Sequence, residues 1–123
     1  MRSRAAKGDA LFLGLDSSTQ ALKATVIDAG LGVVHEAAVQ FDRDFPEFRT
    51  RGGVHRHPDG LTVTSPPLMW VAAVDRLFEG LRAAGLPLQR VVAISGSGQQ
   101  HGSVWFARGA RARLRGLRAD RTL

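Results

Sequence analysis

Three apolar runs near the N-terminus are joined by connections too short for anything but antiparallel reversal, and this limits the possible folds more than any other feature. Leu11-Phe-Leu-Gly-Leu15 reads as a short strand buried on both faces. Residues 22–27 form a second run, with Leu22, Ala24 and Val26 on one face and Lys23 and Thr25 on the other. Residues 33–41 form a third. The links at 16–20 and 28–32 are turn chemistry, rich in Asp, Ser, Thr and Gly. A parallel crossover needs about a dozen residues or more, so the first three strands are expected to form an antiparallel meander.

Residues 42–64 are loop-rich. Gly52-Gly53 and Pro58-Asp59-Gly60 are turn signals, and a small hairpin across 54–64 is expected. A helix follows. Ser65 is the candidate N-cap, Pro66 suits the first helical position, Gly85 suits the C-terminal stop, and Pro87 forbids continuation. Trp70, Val74, Leu77, Phe78 and Leu81 make an apolar stripe, with Asp75, Arg76, Glu79 and Arg82 largely away from it. The helix should pack on the sheet. Val91-Val-Ala-Ile94 is a fourth strand, expected to lie parallel to an earlier one. Residues 96–102 read as a glycine-rich turn, residues 103–107 as a fifth strand, and the stretch from Arg108 as a tail without helical pattern.

Charge and composition narrow the function classes. The net charge of +6 sits at the ends: residues 108–123 carry +5 and residues 1–7 carry +3, whereas residues 8–107 carry −2. The basic character therefore belongs to two tails and not to a binding face, which counts against specific nucleic-acid binding. The chain has no cysteine, so disulfides, thiolate zinc sites and cysteine nucleophiles are excluded. No run approaches the roughly 18 apolar residues of a membrane span. The basic start is followed by an apolar run at 10–15 too short for a signal core, and a cytoplasmic location is expected.

Two turns carry candidate chemistry. In Asp16-Ser-Ser-Thr-Gln20, a carboxylate at the end of a buried strand can organise the water shell of a magnesium ion. Hydroxyls and amides of Ser17, Ser18 and Thr19 can cradle phosphate oxygens, with Lys23 to neutralise charge. The alternative is an ordinary β-turn rich in Asp and Ser. In Gly96-Ser-Gly-Gln-Gln-His101-Gly102, glycines allow close approach of a ligand, and Gln100 and His101 offer hydrogen bonds suited to a polyol or sugar; the alternative is a tight turn with a solvent-facing histidine. It is neither a dinucleotide fingerprint nor a P-loop, because His101 stands where the last glycine would be and no Gly-Lys-Ser/Thr follows. His55 and His57 could share a strand face and a metal, but with no cysteine and no obvious partner ligand a solvated hairpin is the better reading. The arginine-rich end lacks interleaved aromatics and reads as a solvated tail.

Taken in order, Leu13-Gly-Leu-Asp16-Ser-Ser-Thr-Gln20-Ala-Leu-Lys23 and Ser95-Gly-Ser-Gly-Gln-Gln-His101-Gly102 resemble the N-terminal part of the FGGY carbohydrate kinases. Within that family, Phe41-Asp-Arg-Asp-Phe-Pro-Glu-Phe-Arg-Thr50, Gly52-Gly-Val54, Gly60-Leu-Thr-Val-Thr-Ser-Pro66 and Leu68-Met-Trp70 are most similar to the xylulose kinases of the animal type. The similarity covers residues 10–107, between a basic tail at 1–9 and an Arg-rich tail at 108–123 that matches nothing in the family. It implies an α/β, ribonuclease H-like (actin-like ATPase) fold: part of a first domain, with a mixed sheet and one main packing helix. It also implies transfer of the γ-phosphate of ATP to the 5-hydroxyl of D-xylulose, with Mg2+ as the metal. By resemblance the phosphate and ATP site maps onto Asp16, Ser17, Thr19, Gln20 and Lys23, the metal contact onto Asp16 through water, and the sugar contact onto Gln100 and His101.

The resemblance assigns no catalytic residue to this chain. The family's general base is an aspartate beyond residue 123, and its adenosine-binding domain is likewise outside this stretch. The chain alone is therefore expected to be inactive and to need a C-terminal domain or another chain. Two other readings stay open: a non-catalytic interaction half-domain, and a weak nucleic-acid binder acting through the arginine tail.

Overall fold

A computed structural model describes residues 9–116. The basic stretch before Asp9 and the last arginines, Arg118 and Arg121, lie outside the described residues. Strands β1 (Leu11–Ser17), β2 (Ala21–Asp28) and β3 (Val33–Gln40) form the antiparallel meander that the short links demand. A one-turn helix, α1 (Phe41–Asp44), closes β3. Its cap is reciprocal: Gln40 Oε1 accepts from Arg43 N, and the Asp44 carboxylate accepts from Gln40 N at 2.8 Å. The expected hairpin is present as β4 (His55–Arg56) paired with β5 (Val63–Thr64). Then come α2 (Pro67–Ala83), β6 (Val91–Gly98) and α3 (Ala110–Gly116). The main sheet runs β3-β2-β1-β6, with β6 parallel to β1.

Helix α2 lies over β2 and β3 and covers one face of the sheet. Leu11 and Leu13 of β1, Leu22, Ala24 and Val26 of β2, and Val39 of β3 point into that contact; Phe41 and Phe45 close its end. The buried ridge of α2 is Met69, Ala73, Leu77 and Leu81, one residue per turn. This rotates the helix from the stripe expected from its large side chains. Trp70 and Phe78 flank the ridge half-buried, and Val74 is exposed. The small, fully buried Ala73 allows the helix to approach the sheet, so volume and not hydrophobicity selects the contact line.

The helix ends as its sequence suggests and begins differently. Gly85 takes φ +80°, and the bonds from Gly85 N to Arg82 O and from Leu86 N to Leu81 O form a Schellman stop. At the start, Pro66 occupies the cap position without a side-chain bond. Ser65 is not the cap: its hydroxyl donates to Gly53 O at 2.8 Å and ties the helix entry to the preceding loop.

Four further expectations are corrected. Strand β1 is buried on one face only, because α2 covers one side of the sheet; Phe12 and Gly14 on the other side are exposed. Gly96 and Gly98 belong to β6 and not to a turn, because the β1 ladder pairs them with Leu15 and Ser17 and overrides their low strand propensity. Residues 103–107 form no strand, and Val104, Trp105 and Phe106 stay exposed. Part of the arginine-rich stretch is helical, as α3. No helix among the described residues is long and apolar enough to cross a membrane.

Candidate functional site

The site grows from the C-terminal end of β1, where successive side chains leave on opposite faces of the sheet. Asp16 emerges on the face that α2 leaves uncovered. Its Cα pairs with Lys23 on one side and Ser97 on the other, giving a polar row across β2, β1 and β6. Ser97 donates its hydroxyl to Asp16 Oδ1 at 2.8 Å and fixes the carboxylate. With Gly14, Thr25 and Ser95, this row lines a cleft of about 370 Å³.

Ser17, one residue on, emerges on the α2 side. There it joins Ser18, Gln99 and His101 around a larger cleft of about 570 Å³, walled by the β4–β5 hairpin and by Trp70 of α2. The two sequence turns therefore do meet, but they divide between two faces. Asp16 and Lys23 serve one cleft, and Ser17 and His101 the other. Gln100 is exposed and lines neither cleft; its neighbour Gln99 takes that place.

The turn between β1 and β2 is closed by its own groups. Ser18 N donates to Ala21 O at 2.9 Å, and Ala21 N donates back to Ser18 Oγ at 3.3 Å. Thr19 and Gln20 have their backbone carbonyls facing protein: Gln20 O accepts from Phe41 N at 2.9 Å, and Thr19 O lies against Gly53. Their side chains line neither cleft, so any phosphate contact from them runs through the turn's amides or requires approach from outside.

One carboxylate, oriented by a hydroxyl and open to solvent, fits an ion that keeps most of its water and reaches the protein through one or two carboxylates. Among the described residues no group of three His, Asp or Glu side chains could replace that water shell. His55 and His57 are engaged separately. His55 donates from Nε2 to Phe48 O at 2.8 Å, and His57 Nε2 lies 2.9 Å from Thr64 Oγ1.

Reading the sequence misses Ser97, Trp70, Asp42 and Thr50. Ser97 was visible as part of the glycine-rich segment, but only the parallel register with β1 places it beside Asp16. Trp70 belongs by its spacing to the apolar stripe of the helix, which hides its place in the cleft wall. Asp42 stands in a stretch without periodicity. Its carboxylate accepts from Thr50 Oγ1 and from the backbone N–H groups of Gly52 and Gly53. The Thr50 hydroxyl does most to hold the Asp42 carboxyl below its usual range, against a partial burial that raises it, with the two glycine amides adding to the lowering.

No protein-family model matches the chain. Among curated proteins it is 54% identical over 105 residues to the xylulose kinase of Rattus norvegicus, covering 85% of this chain and 20% of the relative. It is 46% identical over 116 residues to xylulose kinase 2 of Arabidopsis thaliana, covering 94% and 21%. The chain spans about a fifth of the length of the curated relatives it matches. Among solved structures, a xyloylose (xylulose) kinase from Brucella ovis superposes with a TM-score of 0.58 at 33% identity, over 75% of this chain and 17% of that one. A gluconate kinase from Lactobacillus acidophilus shares the fold, with a TM-score of 0.57 at 20% identity over 75% and 16%. These neighbours are sugar kinases of the actin-like ATPase, ribonuclease H-like class, and the sheet with α2 is part of such a domain.

Proposed function

We propose that the chain belongs to the xylulose kinases of the FGGY-type sugar kinase family over the stretch they share, and that it supplies the two substrate-facing walls at the end of β1 for ATP-dependent phosphorylation of D-xylulose. The observation that carries this reading is the divergence of Asp16 and Ser17 into two clefts from adjacent positions of one strand. Two substrates that exchange a phosphoryl group must approach a common point from different sides.

In this reading the larger cleft takes the sugar. The Nδ1 and Nε2 atoms of His101, the hydroxyls of Ser17 and Ser18, and the side-chain amide of Gln99 offer the donors and acceptors that a polyol needs. The smaller cleft faces the polyphosphate. Lys23 offsets its charge, the backbone amides of Thr19 and Gln20 are the ones in the turn that could reach its oxygens, and Asp16 would hold the metal's water shell. Bound Mg2+ would supply charge neutralisation at the phosphates. The γ-phosphoryl leaves its bridging oxygen and bonds to O5 of the sugar, whose proton must pass to a base. No carboxylate lines the larger cleft among the described residues, so the role assigned to this chain is binding and orientation. A cytoplasmic location belongs to the same reading.

The test is calorimetric titration of the 123-residue chain with D-xylulose and with Mg-ATP. Removing a buried hydrogen-bond partner costs about 1–3 kcal/mol, so His101→Ala should weaken the sugar by roughly ten- to a hundredfold and leave the nucleotide nearly unchanged. Asp16→Ala should do the reverse. Sugar affinity indifferent to His101 would overturn the assignment.

A further inference from the structure

The geometry points to Asp42 as a positioning residue for the turn at 17–20: its carboxylate fixes the Gly52–Gly53 turn on which the backbone of that turn rests. This inference deepens the reading above and depends on it for its functional part.

The contact is built in three steps. Asp42 Oδ2 accepts from Gly52 N at 2.6 Å, and Oδ1 accepts from Gly53 N at 3.0 Å and from Thr50 Oγ1 at 2.6 Å. One carboxylate thus satisfies two successive amides of a turn in which both glycines have positive φ, +63° and +77°. On the far side, Ser65 Oγ donates to Gly53 O at 2.8 Å and closes the turn against α2. The Cα of Gly53 then lies directly against the backbone of Thr19; a Cβ there would stand 1.8 Å from Thr19 O. The residue before Asp42 acts on the same turn. Phe41, fully buried, donates its N–H to Gln20 O. Residues 41–42 therefore hold Thr19 and Gln20 from two directions, one directly and one through Gly53.

Chemistry favours a carboxylate at this place. An amide side chain has one acceptor oxygen and would turn an NH2 group toward an amide N–H, so asparagine cannot accept from all three donors. With its support gone, the Gly52–Gly53 turn loses its fixed distance to Thr19. The amides that face the phosphates in the reading above then lose their preorganised geometry.

A control lies at the other end of β2. Asp28 Oδ1 accepts from Gly30 N at 2.8 Å and Gly32 N at 3.0 Å, a chemically similar anchor with no contact to the 17–20 turn. Amide hydrogen exchange on the 123-residue chain compares Asp42→Asn with Asp28→Asn, with Ser18 and Ala21 as reporters because each is bonded within the turn. Asp42→Asn is expected to speed their exchange by about tenfold or more, and Asp28→Asn to leave it unchanged even where it lowers the melting temperature. Thr50→Val, which removes one of the three donors and keeps the volume, should act in the same direction and less. At a temperature where circular dichroism shows Asp42→Asn folded, Mg-ATP affinity should fall about tenfold. Unchanged exchange in Asp42→Asn, or equal acceleration by Asp28→Asn, overturns the inference. Accelerated exchange with unchanged Mg-ATP affinity overturns the positioning role. A wild-type chain that binds no Mg-ATP sinks the functional reading instead, and exchange then decides the anchor alone.

Discussion

Gly53 and Gly52 share a turn and a left-handed backbone, yet they should respond differently to substitution. A non-glycine residue at positive φ costs about 1–2 kcal/mol from backbone sterics. At Gly52 that is nearly the whole effect, since a Cβ there would meet only the flexible side chain of Gln20 at 3.8 Å. At Gly53 the added carbon would overlap the Thr19 carbonyl, and backbone has to move. Gly53→Ala should therefore cost more than about 2 kcal/mol, and clearly more than Gly52→Ala, in urea unfolding of the chain. Equal losses would mean that the contact with Thr19 carries no energy. The glycine pair was legible in the sequence as a turn signal. Its supports were not: Asp42 sits ten residues before Gly52, and no local pattern links a carboxylate to amides at that distance. Asp16 and Lys23 were legible together because strand register follows from the short link between them, whereas Ser97 comes from 81 residues further along the chain.

At the scale of elements, the boundaries of the meander and of α2 followed from turn and stop residues, whose effects are local. The face that α2 buries did not, because it depends on what the sheet presents. Large side chains suggested a stripe through Trp70 and Val74, while the sheet accepts Met69, Ala73, Leu77 and Leu81. Two substitutions separate these alternatives. Leu77, only 1% exposed, should lose about 2–5 kcal/mol on Leu77→Ala, as buried leucines do. Val74, 39% exposed, should lose no more than about 0.5 kcal/mol on Val74→Ala. Comparable losses at both positions would restore the original stripe and rotate the helix. The extent of β6 was hidden for a related reason. Its glycines weaken strand propensity, but a parallel partner already in place supplies the hydrogen bonds. Residues 103–107 show the converse, an apolar run that pairs with no strand and stays irregular.

For the molecule as a whole, the sheet is covered on one face and open at both edges among the described residues. Strands β3 and β6 are the two outer strands of the β3-β2-β1-β6 order among the described residues, and one row of the backbone donors and acceptors of β6 has no sheet partner there. Ile94 stands in register with the buried Leu13 and shares its face, yet it is 58% exposed because α2 reaches over β2 and β3 and not over β6. Val92 is also exposed, and Phe12 of β1 opens onto the other face. An edge strand carrying exposed β-branched residues favours pairing with another edge, and an apolar face beside it adds hydrophobic drive to that pairing. The same region borders both clefts, since Ser97 and Gly98 end β6, so association along this edge would compete with ligand access. The 123-residue chain should therefore self-associate at concentrations of about 100 μM, within the range where exposed strand edges cause aggregation. Replacing Val92 and Ile94 together by lysine places charge on the edge without touching the α2 contact. Sedimentation should then show a monomer, with little change in melting temperature. A wild-type chain that is monomeric at that concentration, or a double variant that associates as strongly, would show that the β6 edge is not what drives association.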